Sequence, residues 1–129
     1  MLTLSDLRRD HAVQVLAWVR TALGVVAFVA PTLPSRPWVG TDAGRTSTRT
    51  LTRALGARDV ALGLGTLLAQ HHRSPVRGWL EASALADAGD VAATLADWGS
   101  RPRLGRLVVL AAAASGAVAC GDLARQVRA

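Results

Sequence analysis

The sequence predicts an all-α fold, a four-helix transmembrane bundle built as a single membrane domain over residues 1–129. Half of the residues are hydrophobic and 19% are charged, whereas typical soluble domains carry about 25% charged residues. The five prolines separate four apolar stretches and lie inside none of them, as expected where proline ends helices. Each stretch is about 20 residues long, which matches a hydrocarbon core of about 30 Å. The predicted spans are 12–30, 51–69, 79–98 and 104–123.

The first span contains Arg20 close to its midpoint. A cleaved secretory signal needs an unbroken apolar region, so we expect this segment to stay attached to the protein. The connection that follows is expected to open as a Pro-rich extended stretch around Trp38. Arg45, Arg49 and Arg53 then recur at every fourth residue. This spacing fits either a basic helical ridge on anionic lipid or an ordinary solvated row of charges.

The third span concentrates its polar residues on one side. At 100° per residue, an arc of about 80° contains Ser83, Asp87, Asp90, Thr94 and Asp97. The rest of the circumference is mostly Ala, Leu, Val and Gly, the reverse of a soluble surface helix with its limited apolar stripe. Trp79 and Trp98 lie about 28 Å apart along this helix. That separation fits indoles at the two membrane interfaces, and also two tryptophans in a soluble core.

The fourth span is the most uniformly apolar of the four. Residues 107–121 hold no charge, and Arg106 at the edge of this run can reach the lipid headgroups. This composition indicates a helix that crosses the bilayer.

Ionisable residues far from the span ends predict a polar cluster between the first three spans. These residues are Arg20, Arg58, Asp59, Asp87 and Asp90. A lone charge at the centre of a span costs about 2.5 to 3.5 kcal/mol on insertion scales, so the charges are expected to pair with one another. On the second span, Asp59, Gly63, Thr66 and Gln70 share one face, which is expected to turn toward the carboxylates of the third span.

Three functions remain open for a chain with such a cluster. In the first, a small multi-pass membrane protein uses the cluster structurally or binds a small polar or lipidic ligand there. In the second, a membrane enzyme or proton path uses Asp87 or Asp90 as an acid or base. No nucleophile stands beside a recognisable base, so the catalytic residues of such an enzyme are unknown. In the third, the chain is a soluble helical bundle.

Several other chemistries are not expected from the sequence. The single Cys120 excludes an internal disulfide, and His71 and His72 lack a third ligand at metal-site spacing, so neither a metal nor a cofactor is predicted. Gly63 and Gly65 lack the strand context of a dinucleotide site and are expected to permit close helix contact. The net charge of +6 is dispersed between apolar spans, so the expected partner is the lipid bilayer and not nucleic acid. Self-association, or a partner in a membrane complex, is also expected.

The second span carries a short motif that resembles a known family. Residues 53–68 read RALGARDVALGLGTLL and are followed by an acidic third span. This pattern resembles a family of small four-span bacterial and fungal membrane proteins catalogued as a domain of unknown function (DUF4267). The positions that match its motif are Arg53, Gly56, Arg58, Asp59 and Gly63. The resemblance implies a multi-pass protein of the bacterial plasma (inner) membrane, and it implies no settled activity.

Overall fold

The computed structural model describes residues 4–96 and 103–127. In this part of the chain all regular structure is helical, which confirms the all-α prediction. The helices are α1 (Leu4–Val29), α2 (Thr32–Val39), α3 (Thr46–His71), α4 (Arg77–Ala96) and α5 (Arg103–Gln126), and a 3-10 turn at Gly40–Gly44 joins α2 to α3. The four long helices lie over the four predicted spans. Asp97 and Trp98, at the end of the third predicted span, fall outside the described residues.

The helices pack as two pairs, α1 against α3 and α4 against α5. Glycines make the first pair close, because a Cβ on Gly24 of α1 would lie only 2.6 Å from the carbonyl oxygen of Gly56 in α3. A Cβ on Gly63 would overlap the Thr21 hydroxyl and lie 2.7 Å from the carbonyl oxygen of Ala17. Between the first contact and the second, the residue number rises along α3, from Gly56 to Gly63, and falls along α1, from Gly24 to Ala17. The helices α1 and α3 are therefore antiparallel. The expected close helix contact at Gly63 is therefore confirmed.

The two pairs meet in a small apolar cluster near the α3–α4 connection. Its buried members are Val13, Ala69, Val76, Leu80 and Ala124, which come from all four long helices and from that connection. At the opposite end of the bundle α2 packs on α5, where the backbone at Pro37 closely approaches Gly105. The apolar core is thus confined to few residues, and much of the interior is filled in another way.

Polar and small residues fill the interior of the bundle, while large hydrophobic residues face outward. On α4 the buried residues include Ser83, Asp87 and Thr94, whereas Leu85 is 73% exposed. The polar arc predicted for this helix is therefore its interior face. On α1 the buried residues include Thr21 and Gly24, and many large hydrophobic side chains are exposed, among them Trp18, Val19, Leu23, Val25, Val26 and Phe28.

Within residues 4–96 and 103–127, two helices are long and apolar enough to cross a membrane, Leu4–Val29 and Leu104–Gln126. The core helix of a soluble protein has similar length and hydropathy, but such a helix is mostly buried. In the most apolar 18-residue segment of each helix, only 22% of the first segment and 11% of the second is buried. Both helices therefore present most of their apolar surface outward.

The expectation of an extended stretch after the first span is wrong. Residues 32–39 form α2, and a 3-10 turn follows. Pro34 is compatible with this helix because it lies in the first turn, where backbone N–H groups have no intrahelical acceptor. The Ser35 hydroxyl donates to the carbonyl of Pro31 at 2.6 Å. Gly40, with a φ of 63°, ends the helix in a backbone conformation that favours glycine.

Candidate functional site: a buried arginine and aspartate network

Five charged side chains from α1, α3 and α4 form one continuous network of ion pairs. Arg20 donates from Nη1 to Asp59 Oδ1 at 2.9 Å and from Nη2 to Asp87 Oδ2. Arg58 donates from Nη2 to Asp59 Oδ1 at 3.2 Å. It also binds both carboxylate oxygens of Asp90, at 3.1 Å from Nη1 and 2.8 Å from Nη2. The order along the network is therefore Asp87, Arg20, Asp59, Arg58, Asp90. These are the five residues that the sequence places far from the span ends.

Helix periodicity explains how three helices deliver these groups to one place. Arg58 and Asp59 are neighbours on α3 and point about 100° apart, so Asp59 reaches Arg20 on α1 while Arg58 reaches Asp90 on α4. Asp87 and Asp90 are three residues apart and lie on the same face of α4. Arg20 lies on α1 beside Thr21, which packs against α3. The network therefore follows from the positions of the residues once the helices have docked.

The fifth helix closes the network on one side without adding a charge. The Asp87 carboxylate lies directly against Gly116 of α5, where a Cβ would overlap Oδ2. Cys120, one turn further along α5, is buried beside this position. As a result the Arg20 and Asp87 side chains are only 13% and 10% exposed. The Arg58–Asp90 end is more open, at 31% and 27%.

The network carries more negative than positive charge. Three carboxylates face two guanidinium groups, which gives a formal balance of −1. Asp90 has the strongest pairing, because Arg58 holds both of its oxygens in the bidentate geometry that suits an arginine and a carboxylate. Asp87 has the least compensation of its negative charge. Its partner is Arg20, which also pairs with Asp59, whereas Asp59 pairs with Arg58 as well.

The motif positions outside the network have packing roles in this structure. Arg53 donates from Nε to the carbonyl oxygen of Phe28 at 3.1 Å and so ties the start of α3 to the end of α1. Gly56 permits the close approach of Gly24, and Gly63 that of Thr21. Neither Arg53 nor the two glycines of the motif contacts the carboxylates of α4.

The expected orientation of the Asp59 face of α3 is wrong. This face, with Gly63, Thr66 and Gln70, turns toward α1 and not toward the carboxylates of α4. Gln70 donates from Nε2 to the carbonyl oxygen of Asp10, which belongs to α1. The reason is steric, because glycine on this face allows α1 to approach more closely than α4 can. Arg58, on the adjacent face, makes the connection to α4 instead.

Sequence reasoning missed two residues that shape the site. Gly24 allows α1 to approach α3 one turn after Arg20, and Gly116 provides the space for the Asp87 carboxylate. Both could have been found by a search for small residues that lie at the same level along the bundle as the charged residues of the neighbouring helices. Gly116 does stand in a row of small residues on α5, but such rows arise easily in an alanine-rich chain.

The remaining candidates lie away from the network. The His71 and His72 rings contact each other edge to face, 5.2 Å apart, and both residues are exposed. Among the described residues no group of His, Cys, Asp and Glu is arranged to hold a metal ion. The Trp79 indole packs over Gly65. Arg45 pairs with Asp42 at 3.4 Å on the surface, which is compatible with both interpretations of the basic row.

Comparison with known proteins adds no relative: no family model, no curated protein and no solved structure matches this chain. The resemblance to the four-span family therefore stays a prediction.

Proposed function

We propose that this chain is a small multi-pass integral membrane protein of the bacterial plasma membrane, with α1, α3, α4 and α5 as its four spans and the lipid bilayer as its partner. The observation that supports this most strongly is the outward hydrophobic surface and the polar interior. On α4, Thr94 is fully buried while Leu85 and Leu95 are exposed. In water this arrangement would be unfavourable, because it exposes large apolar side chains and buries polar ones. In lipid the exposed apolar side chains are in a favourable environment.

In this proposal the ion-pair network holds α1, α3 and α4 in a fixed order and register. Lipid gives helices no reason to associate through hydrophobic side chains, so close packing and polar contacts must hold them together. The Gly24–Gly56 contact supplies the packing and the network supplies the polar contacts. Because both arginines are already engaged by aspartates, this structural role fits better than a site for a small polar or lipidic ligand.

The decisive experiment introduces a charge on the outer surface. Leu85 is 73% exposed near the middle of α4, and Leu4 is 77% exposed at the start of α1, outside the predicted span. If the surface of α4 faces lipid, Leu85→Lys costs about 2.5 to 3.5 kcal/mol, whereas Leu4→Lys costs little. In a soluble bundle both substitutions would be nearly neutral.

The measurement is the amount of protein that stays in alkaline-washed bacterial membranes and needs detergent for extraction. We expect the wild type and Leu4→Lys to stay in the membrane fraction in similar amounts and Leu85→Lys to be strongly depleted. A wild type that is soluble without detergent, or equal behaviour of the two variants, would rule out the membrane proposal and favour the soluble bundle.

The charge balance of the network favours a second candidate function, proton binding at Asp87. Three carboxylates share two guanidinium groups, and Asp90 already has both oxygens on Arg58. A net charge in a low-dielectric interior is costly, and a proton on one carboxylate removes it. Asp87 shares Arg20 with Asp59, and it lies against Gly116 in the uncharged middle part of α5. A proton path or an acid catalyst would need such a group.

Infrared spectroscopy tests this second candidate directly. A protonated carboxyl group has a carbonyl stretch that a carboxylate lacks. Near neutral pH we expect this band in the wild type and in the double variant Arg58→Gln/Asp90→Asn, which removes one charge of each sign and keeps the formal balance of the network at −1. We expect Asp87→Asn to lack the band. If the wild type shows no such band, the excess charge is balanced in another way and the proton-path function has no support.

A further inference from the structure

An open cleft of about 960 Å³ lies at the end of the bundle where α3 gives way to α4. One part of its lining is apolar and includes Leu67, Val76 and Val127. Another part carries positive or protonatable groups, which are His11, His71 and Arg73. The cleft is separate from the ion-pair network, which none of these residues joins. Its lining suits a molecule that is polar at one end and apolar at the other.

Arg73 occupies a backbone position where glycine is normally preferred. Its N–H donates to the carbonyl of Gln70 at 3.1 Å, and the N–H of Ser74 donates to the carbonyl of Ala69 at 2.8 Å. These two bonds form a Schellman motif that ends α3, with Arg73 at its left-handed residue. The φ of Arg73 is 53°, in a region that costs free energy for residues with a Cβ. An arginine therefore stands where glycine would be more stable, and strain of this kind is often found at functional sites.

Arg73 differs from the neighbouring arginines in having its charge available. Arg77 pairs with Glu81 at 2.7 Å, and Arg125 pairs with Asp122 at 3.6 Å. Within residues 4–96 and 103–127, the Arg73 side chain makes no ion pair. The acidic residue Asp10 also lines the cleft, so the positive charge of the cleft depends strongly on Arg73.

We propose that this cleft binds the phosphate of a membrane phospholipid, with the Arg73 guanidinium as the main contact. Guanidinium groups bind phosphate through parallel hydrogen bonds, and neighbouring imidazoles add further donors. The apolar lining at Leu67 and Val76 then receives the start of the acyl chains. The lipid source rests on the proposed membrane function, because the cleft lies beside the ends of the spans at 51–69 and 79–98, where headgroups would be. A site for phosphate as such does not depend on that function.

Native mass spectrometry of the protein released from detergent micelles can measure this binding. The probes are phosphatidylglycerol, a diacylglycerol with the same chains, and inorganic phosphate as a competitor. We expect saturable binding of the phospholipid and none of the diacylglycerol. Arg73→Gln should weaken phospholipid binding about tenfold or more, the loss of a charge-assisted contact. The matched control Arg77→Gln removes the same charge four residues away and should change binding less than about twofold.

A second variant separates binding from folding. Arg73→Gly relieves the left-handed strain, so we expect its midpoint of thermal unfolding to be unchanged or higher than that of the wild type. Its phospholipid binding should be weakened as much as that of Arg73→Gln, because both variants lack the guanidinium group. Equal binding by Arg73→Gln and the wild type would overturn the proposal. The assignment to a lipid would be overturned if millimolar inorganic phosphate displaced phosphatidylglycerol and if phosphatidylglycerols with short and long acyl chains bound with equal affinity. If the protein is soluble without detergent, the membrane function fails, and titration with inorganic phosphate still tests Arg73.

Discussion

Arg58 and Asp90 form one salt bridge of the ion-pair network, but replacing Arg58 should destabilise the protein more than replacing Asp90. Arg58 and Asp90 bind each other through two hydrogen bonds, at 3.1 and 2.8 Å. Arg58→Met changes the formal charge of the network from −1 to −2 and leaves Asp90 without its partner. Asp90→Asn changes the charge from −1 to zero, and its amide oxygen can still accept a hydrogen bond from Arg58. We therefore expect Arg58→Met to be much more damaging than Asp90→Asn.

The structure sets the size of this difference. Breaking a fully buried ion pair by removing one partner costs about 3 to 5 kcal/mol. The Arg58 and Asp90 side chains are partly open, so about 3 kcal/mol is appropriate for Arg58→Met. For Asp90→Asn the loss is the extra strength of a charged over a neutral hydrogen bond, about 1 kcal/mol. The free energies of unfolding of the two variants should thus differ by about 2 kcal/mol, or roughly 30-fold in the equilibrium constant.

Equilibrium unfolding in mixed micelles of a mild detergent and sodium dodecyl sulfate measures these free energies, with tryptophan fluorescence and circular dichroism as probes. The double variant Arg58→Met/Asp90→Asn restores the charge of −1 and should be more stable than Arg58→Met alone. If Asp90→Asn is as destabilising as Arg58→Met, or if the double variant is no more stable than Arg58→Met, charge balance does not control the stability of the network.

Two further predictions concern packing between the helices. Gly63→Ala places a Cβ against the Thr21 hydroxyl and the backbone of α1, so it should lower the free energy of unfolding by about 1 to 3 kcal/mol. In the control Gly89→Ala the new Cβ meets open space, so the better helix propensity of alanine should raise the free energy of unfolding by up to about 1 kcal/mol. Equal effects of the two substitutions in the same unfolding assay would contradict the tight α1–α3 contact. Cys120 is buried, so a maleimide should label it slowly in the folded protein and rapidly after denaturation. Rapid labelling of the folded protein would show that α5 does not pack over Asp87.

The charged network could be predicted from the sequence because strong physical constraints act on each of its members. Arg20, Asp87 and Asp90 lie far from any proline or loop signal, so the helix pattern places them in the middle of apolar segments. Charges in such positions have to pair, and only a few partners exist. The polar face of α4 was predictable for the same reason, since its residues share a narrow arc of the helix.

The orientation of α3 and the backbone at Arg73 could not be predicted in this way. Whether Asp59 turns toward α1 or α4 depends on how closely each helix approaches, and that distance is set by pairs of small residues such as Gly24 and Gly56. Helical angles on a single segment contain no information about such pairs. At Arg73 the chain adopts a left-handed conformation that arginine rarely takes, so its residue type gives no signal. The helix over 32–39 was also obscured, because its prolines indicate a connection.

Under the proposed four-span arrangement, the four helices do not depend on one another equally. Among the described helices, only α1 and α5 are long and apolar enough to be recognised as spans by length and composition. The helices α3 and α4 carry four carboxylates, and three of these belong to the network. These three, Asp59, Asp87 and Asp90, each pair with an arginine in the folded bundle. Their stable residence in lipid would therefore require the fold, with Arg20 on α1 as the group that connects both. The ion-pair network is then needed for the topology of the protein as well as for its stability.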